Sequence, residues 1–155
     1  MTHQLRTTFD VEQPLEQVFA FFAAAENLER ITPAELGFRI LTPGPFEIRE
    51  GTLIDYQLRL FGVPFKWRTE ITVWRPPHEF VDVQLRGPYR TWVHTHRFTP
   101  TPTGTSIADT VEYELPLSPV GDIALPLVRV QLGRIFRYRE AAVRRLLATD
   151  GERRP

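Results

Sequence analysis

The chain has 155 residues, with 19 basic and 19 acidic side chains and no cysteine. That length fits one domain, which buries roughly 70% of the surface its unfolded chain exposes, enough for a sizeable core. Balanced charge gives no global field toward nucleic acid or anionic membranes, and the absence of cysteine excludes a disulfide framework, a thiolate nucleophile and a Cys-ligated metal.

At the start, MTHQLRTTFDVE lacks the apolar stretch of a secretion signal, and the longest apolar run, VFAFFAAA (18–25), is too short to span a bilayer. The expected setting is the cytoplasm. TTFDV (7–11) alternates as a short strand. Leu15, Val18, Phe19, Phe22 and Ala25 then recur at helical spacing, with Pro14 suited to the first turn. In ITPAEL, Thr32 and Glu35 bracket Pro33 with the spacing of a capping box, which predicts a second short helix. FRILTP (38–43) reads as a strand. Five further strands are expected at 52–60, 65–74, 80–86, 90–99 and 105–115, separated by FGVP, RPPH, GP and PTPTG. Breaks this short make hairpins, and therefore an antiparallel meander.

From Asp122 to Ala148, Val128, Leu132, Ile135, Phe136, Ala142, Val143, Leu146 and Leu147 form one apolar helical stripe, with Arg134, Arg137 and Arg144 opposite. Strand, two short helices, meander and long helix is the order of the α+β helix-grip fold. In it, a curved antiparallel sheet of about seven strands wraps around a long C-terminal helix and leaves a gap between them. One domain is expected over 1–148, with a disordered tail over 149–155.

The stretch WVHTHRF (92–98) places Trp92, His94, His96 and Phe98 on one strand face. If PTPTG closes a hairpin pairing Phe98 with Ile107, His96 falls opposite Asp109, His94 opposite Val111 and Trp92 opposite Tyr113. The other face then pairs Thr91, Val93, Thr95 and Arg97 with Glu114, Glu112, Thr110 and Ala108, a solvated surface. The first face reads as an amphipathic cavity wall, joined by Tyr56, Trp67, Leu132 and Phe136 as lining. Arg139 lies near the centre of the last helix's apolar stripe. Its buried charge needs a partner, either Asp109 or Asp82 or an anionic group on a ligand. Strand 80–86 leaves two facings open, with Val81, Val83 and Leu85 inward or Phe80, Asp82, Gln84 and Arg86 inward.

Asp109 is expected to hold one histidine while the other lines the cavity. His94, His96 and Asp109 would also make a plausible facial metal set. However, the other two histidines, His3 and His78, lie in the N-terminal segment and a Pro-rich turn, so no metal is expected. For acid–base catalysis the candidates are His96, Asp109 and Tyr113, with Arg139 nearby. No nucleophile elbow, phosphate loop or dinucleotide fingerprint is present.

WRPPHEFVDVQLRGPYRTWVHTHRF (74–98), GTSIADTVEYELP (104–116) and LGRIFRYR (132–139), together with VEQPLEQVFAFFAAAENLERITP, resemble the START-like, or SRPBCC, superfamily over nearly the whole chain. That group includes START lipid carriers, polyketide cyclases, coenzyme-Q-binding proteins and birch-pollen-type allergens. The resemblance implies a cavity of at least a few hundred Å³ between sheet and helix, taking a hydrophobic or amphipathic molecule (lipid, quinone or polyketide-like) for binding or transport. A polyketide cyclase- or dehydratase-like enzyme is the alternative, and a protein- or ribosome-binding module the third reading. No cofactor, DNA or integral membrane association is expected, and the chain is expected to be a monomer or homodimer.

Overall fold

The hairpin signals in the sequence become one antiparallel sheet of seven strands. The computed structural model describes residues 1–152, with side chains to Thr149. Strand β1 (His3–Val11) leads into helices α1 (Leu15–Ala23) and α2 (Asn27–Arg30) and a 3-10 turn at Ala34–Leu36. The strands β2 (Arg39–Ile40), β3 (Leu53–Leu60), β4 (Val63–Arg75), β5 (Glu79–Arg86), β6 (Thr91–Thr101) and β7 (Gly104–Glu114) follow. A 3-10 turn at Val120–Ala124 then enters helix α3 (Leu125–Glu152). Strand order in the sheet is β1-β7-β6-β5-β4-β3-β2. This is the helix-grip architecture.

Several boundaries differ from the sequence reading for identifiable reasons. β1 begins at His3 because β7 offers it a continuous partner, from His3↔Tyr113 to Val11↔Thr105. Thr32 caps no helix. Its hydroxyl instead donates to the Leu28 carbonyl at 2.6 Å, closing the end of α2, and the residues after Pro33 make a single 3-10 turn that Gly37 ends at φ +55°. FRILTP contributes only two strand residues, since the Leu41 and Thr42 amides both turn onto the Asp55 carbonyl before Pro43. α3 runs past 148 to Glu152, and the rest of the expected tail, 153–155, lies outside the described residues. Pro126 sits in the first turn of α3, where a missing N–H costs nothing.

α3 lies across the β1–β7–β6 side of the sheet. Ala142, Val143 and Leu147 pack with Phe9, Val18, Phe98 and Ile107, while Val128, Leu132 and Phe136 pack with Val111, Tyr113 and Leu115. The concave face of β3, β4 and β5 is therefore left to be roofed by Phe22 of α1, Ile31 and Leu36, and a cavity remains beneath them. Among the described residues no helix is long and apolar enough to cross a membrane.

Candidate functional site

The cavity lies between the sheet and α3 and has a volume of about 160 Å³. This is smaller than the few hundred Å³ expected, because aromatic rings occupy the space the fold encloses. Trp67 meets Trp92 edge-on with centroids 5.3 Å apart, Tyr89 tilts onto Trp92 at 4.8 Å, and Tyr56 stacks on Trp67 at 5.7 Å. The lining is apolar except for one group of charged and imidazole side chains, Asp82, His94, His96 and Arg139, and the hydroxyls of Thr32, Thr69, Tyr56 and Tyr89.

The β6–β7 hairpin has the expected register, pairing Phe98 with Ile107, His96 with Asp109, His94 with Val111 and Trp92 with Tyr113. Of the residues named from sequence, Trp92, His94, His96, Tyr56, Trp67, Leu132, Phe136 and Arg139 line the cavity. Phe98, Asp109, Val111 and Tyr113 face the same way and are buried, but they do not reach it. α3 covers that part of the sheet, so these four side chains fill the helix–sheet interface. Asp109 accordingly sits behind the histidines, and Tyr113 does not line the cavity.

Strand β5 supplies what the sequence left open. Phe80 and Asp82 turn inward, and Asp82 pairs across the ladder with His94, as Phe80 does with His96. Gln84 does not join the wall. It donates to the Tyr89 carbonyl at 2.7 Å and accepts from the Tyr89 amide at 3.2 Å, clamping the β5–β6 turn. The missed signal was the ladder itself, since directly opposed residues share a face, and an inward His94 makes Asp82 inward. Tyr89, within that turn, carried no periodicity to mark it.

The polar group is a connected cluster from three adjacent strands and the helix. His94 Nε2 lies 2.8 Å from Asp109 Oδ1, and His96 Nδ1 lies 3.3 Å from the same oxygen. On its other side His96 Nε2 is 2.5 Å from Asp82 Oδ2, with His94 Nδ1 3.8 Å from that atom. The two imidazoles stack with centroids 3.6 Å apart, and Phe80 stacks on His96 at 4.0 Å. Arg139 Nη2 is 3.3 Å from His96 Nδ1 and 3.6 Å from Asp109 Oδ1, so the arginine's partner is internal. Trp67 Nε1, Asp109 Oδ2 and Arg139 Nε are buried without a hydrogen-bond partner among the described residues.

Burial and pairing compete at every member of this cluster. Burial pushes the Asp109 carboxyl up, but the Arg139 charge and the bonds from His94 and His96 outweigh it and hold the group well below the usual carboxylate range. Asp82 follows the same balance, with burial raising it and the His96 bond, aided by the charges of His94, His96 and Arg139, bringing it lower. Burial lowers both histidines. For His94 the charge of His96 adds to that and the net shift is downward. For His96 the bonds to Asp109 and Asp82 win, and the net shift is upward. Burial also raises the Tyr56 hydroxyl well above its ordinary value, with the Asp82 charge adding to it, so a neutral phenol faces the cavity.

Residues 11–137 match the family model described as "Polyketide cyclase / dehydrase and lipid transport". No curated protein matches the chain in sequence. Among solved structures, TTHA0849 from Thermus thermophilus superposes with a TM-score of 0.74 at 18% identity, covering 96% of this chain and 99% of that one. A START superfamily protein from Mycobacterium smegmatis gives 0.73 at 13% identity, covering 95% and 98%. A point mutant of norcoclaurine synthase from Thalictrum, in complex with a transition-state analogue, gives 0.71 at 15% identity, covering 97% of both chains. At such identities the structural likeness speaks for the fold, and the family match speaks for a ligand-binding domain. The chain belongs to the polyketide cyclase/dehydrase and lipid transport family of the START-like (SRPBCC) superfamily.

Proposed function

We propose that this protein binds a compact, mainly apolar molecule bearing an oxygen-containing group that seats against His94, His96 and Arg139. The observation that carries this reading is a charged cluster set into the wall of an otherwise apolar, roofed cavity. Apolar walls supply affinity, and a few polar groups orient the ligand. The volume of about 160 Å³ favours one or two rings over a long acyl chain, since a cavity of ~150 Å³ admits a benzene-sized guest. Trp67 and Trp92 in the wall make indole fluorescence the natural readout. Titration with 2-naphthol and with a naphthoquinone should give saturable quenching, and His94→Ala should weaken it about tenfold, ~1.4 kcal/mol. An absence of saturable binding by any one- or two-ring probe would refute the reading.

An enzyme is the second reading, favoured by two imidazoles that line the cavity, each paired with a carboxylate, His94 with Asp109 and His96 with Asp82. Such pairs move protons between a bound carbonyl compound and the protein, the step that enolisation and aldol dehydration share. Product formation from a poly-β-ketone analogue, lost in His96→Gln, supports this reading, and turnover retained in that variant excludes it.

A further inference from the structure

We propose that Asp82, His94 and His96 form a binding site for a single divalent first-row transition-metal ion, with its open side toward the cavity. One potential ligand atom from each of the three residues lies within 4.8 Å of the others. Asp82 Oδ2 stands between the rings, 2.5 Å from His96 Nε2 and 3.8 Å from His94 Nδ1. Ligand atoms around an ion bonded at ~2.0–2.1 Å are separated by roughly 3–3.5 Å, so the spread of up to 4.8 Å must close and the stacked imidazoles must tilt apart for both lone pairs to reach one ion.

What lies behind the rings singles this group out. The far nitrogens, His94 Nε2 and His96 Nδ1, both point at Asp109 Oδ1, at 2.8 and 3.3 Å. A carboxylate in that position takes the imidazole N–H and leaves the near nitrogen's lone pair free for a metal. Here one oxygen faces both rings, and because Arg139 Nη2 also lies 3.3 Å from His96 Nδ1, metal binding at Nε2 requires that nitrogen to carry its proton toward Asp109 rather than accept from the arginine. Thr69 Oγ1 lies 3.5 Å from the other Asp82 oxygen and donates at 3.2 Å to the Val83 carbonyl. All of these side chains come from the neighbouring strands β4, β5, β6 and β7, a rigid base for a metal site.

Two imidazoles and a carboxylate with an open position suit zinc or ferrous iron over calcium or magnesium. Counting histidines argues against a metal, since His3 and His78 lie elsewhere, and the sequence alone offers Asp109 as the third ligand. The structure assigns that place to Asp82 and puts Asp109 behind the rings.

The site shares His94 and His96 with the proposed ligand seat and is tested without that ligand. Chelator-stripped protein is titrated with Zn²⁺ by calorimetry and with Co²⁺ by visible absorption. The expected result is one ion per chain, with the cobalt bands of a low-coordinate N₂O site. Asp82→Asn should abolish saturable uptake, and Asp109→Asn should weaken it by ~10–100-fold through the rings it orients. His78→Gln, in the turn before β5, should leave uptake unchanged. Wild-type protein that binds neither ion at one per chain overturns the proposal, as does uptake that survives Asp82→Asn or is lost in His78→Gln. If Asp82→Asn loses its circular dichroism signal, the wild-type cobalt spectrum and Asp109→Asn decide the matter.

Discussion

Arg139 shows how a charge is accommodated on an apolar helix stripe. Its helical phase, read at about 100° per residue, places it inward, and it is buried at 8% exposure. Its guanidinium sits 5.2 Å from the Phe22 ring centroid and 5.8 Å from that of Phe136, so aromatic faces cover what carboxylates do not. Of the two carboxylates named from sequence, Asp109 is in ion-pair range, and Asp82 acts only through its field. Arg139→Leu keeps the packing stem but leaves Asp109 buried without its cation, so stability is expected to fall by roughly 3–5 kcal/mol. Denaturant melts of the two proteins test this, and equal midpoints would show that the pair contributes nothing. The inward direction of Arg139 was readable because helical phase is local. Its choice between carboxylates was not, because that depends on how far α3 lies from β5.

Hairpins whose turn fixes the register were readable residue by residue. Between β6 and β7 only Pro102 and Thr103 lie outside the strands, and so tight a turn admits one pairing. β5 gave no such answer from its own alternation, since its pairing with β4 shifts register at Arg68/Thr69 and again at Ile71/Val73 and only the ladder with β6 places Asp82 inward. Bulges of this kind change which side chains face inward without leaving a simple mark in the sequence. The β3–β4 tip offers a direct test of turn chemistry. Phe61 and Gly62 both have positive φ, 51° and 77°, and Phe61 is exposed. Two such residues make the twisted hairpin turn that prefers Asn-Gly. Phe61→Asn is therefore expected to raise stability by about 0.5–1 kcal/mol, read from the same melts. Gly104 marks the opposite case, since an added Cβ would stand 2.0 Å from the Val11 carbonyl oxygen. Gly104→Ala should cost about 1–3 kcal/mol by prising β1 from the hairpin.

For the molecule as a whole, the order of elements was enough to reach the architecture, because few topologies join a meander to one long amphipathic helix. The volume of the cavity was out of reach. It is what remains after large rings have packed, a difference between two big quantities that no periodicity reports. Phe136 bridges the two, lining the cavity while packing in the core beside Val128 and Leu132. Phe136→Ala should lower stability by ~3–5 kcal/mol while admitting a larger ring system, seen as saturable binding of a probe that wild-type protein rejects. The place of β1 has a consequence for how the chain reaches this state. His3–Val11 hydrogen-bonds to Gly104–Glu114, so the strand made first pairs with the strand made last. At a synthesis rate of ~5–20 residues per second, that partner follows about 5–20 s later. Until then the segment has no partner strand, and its pairing waits on closing a loop of the whole intervening chain. Refolding from denaturant should therefore protect the β4–β5 and β6–β7 amides from hydrogen exchange before those of β1. Simultaneous protection of all three would show that the long-range pairing forms as early as the local hairpins.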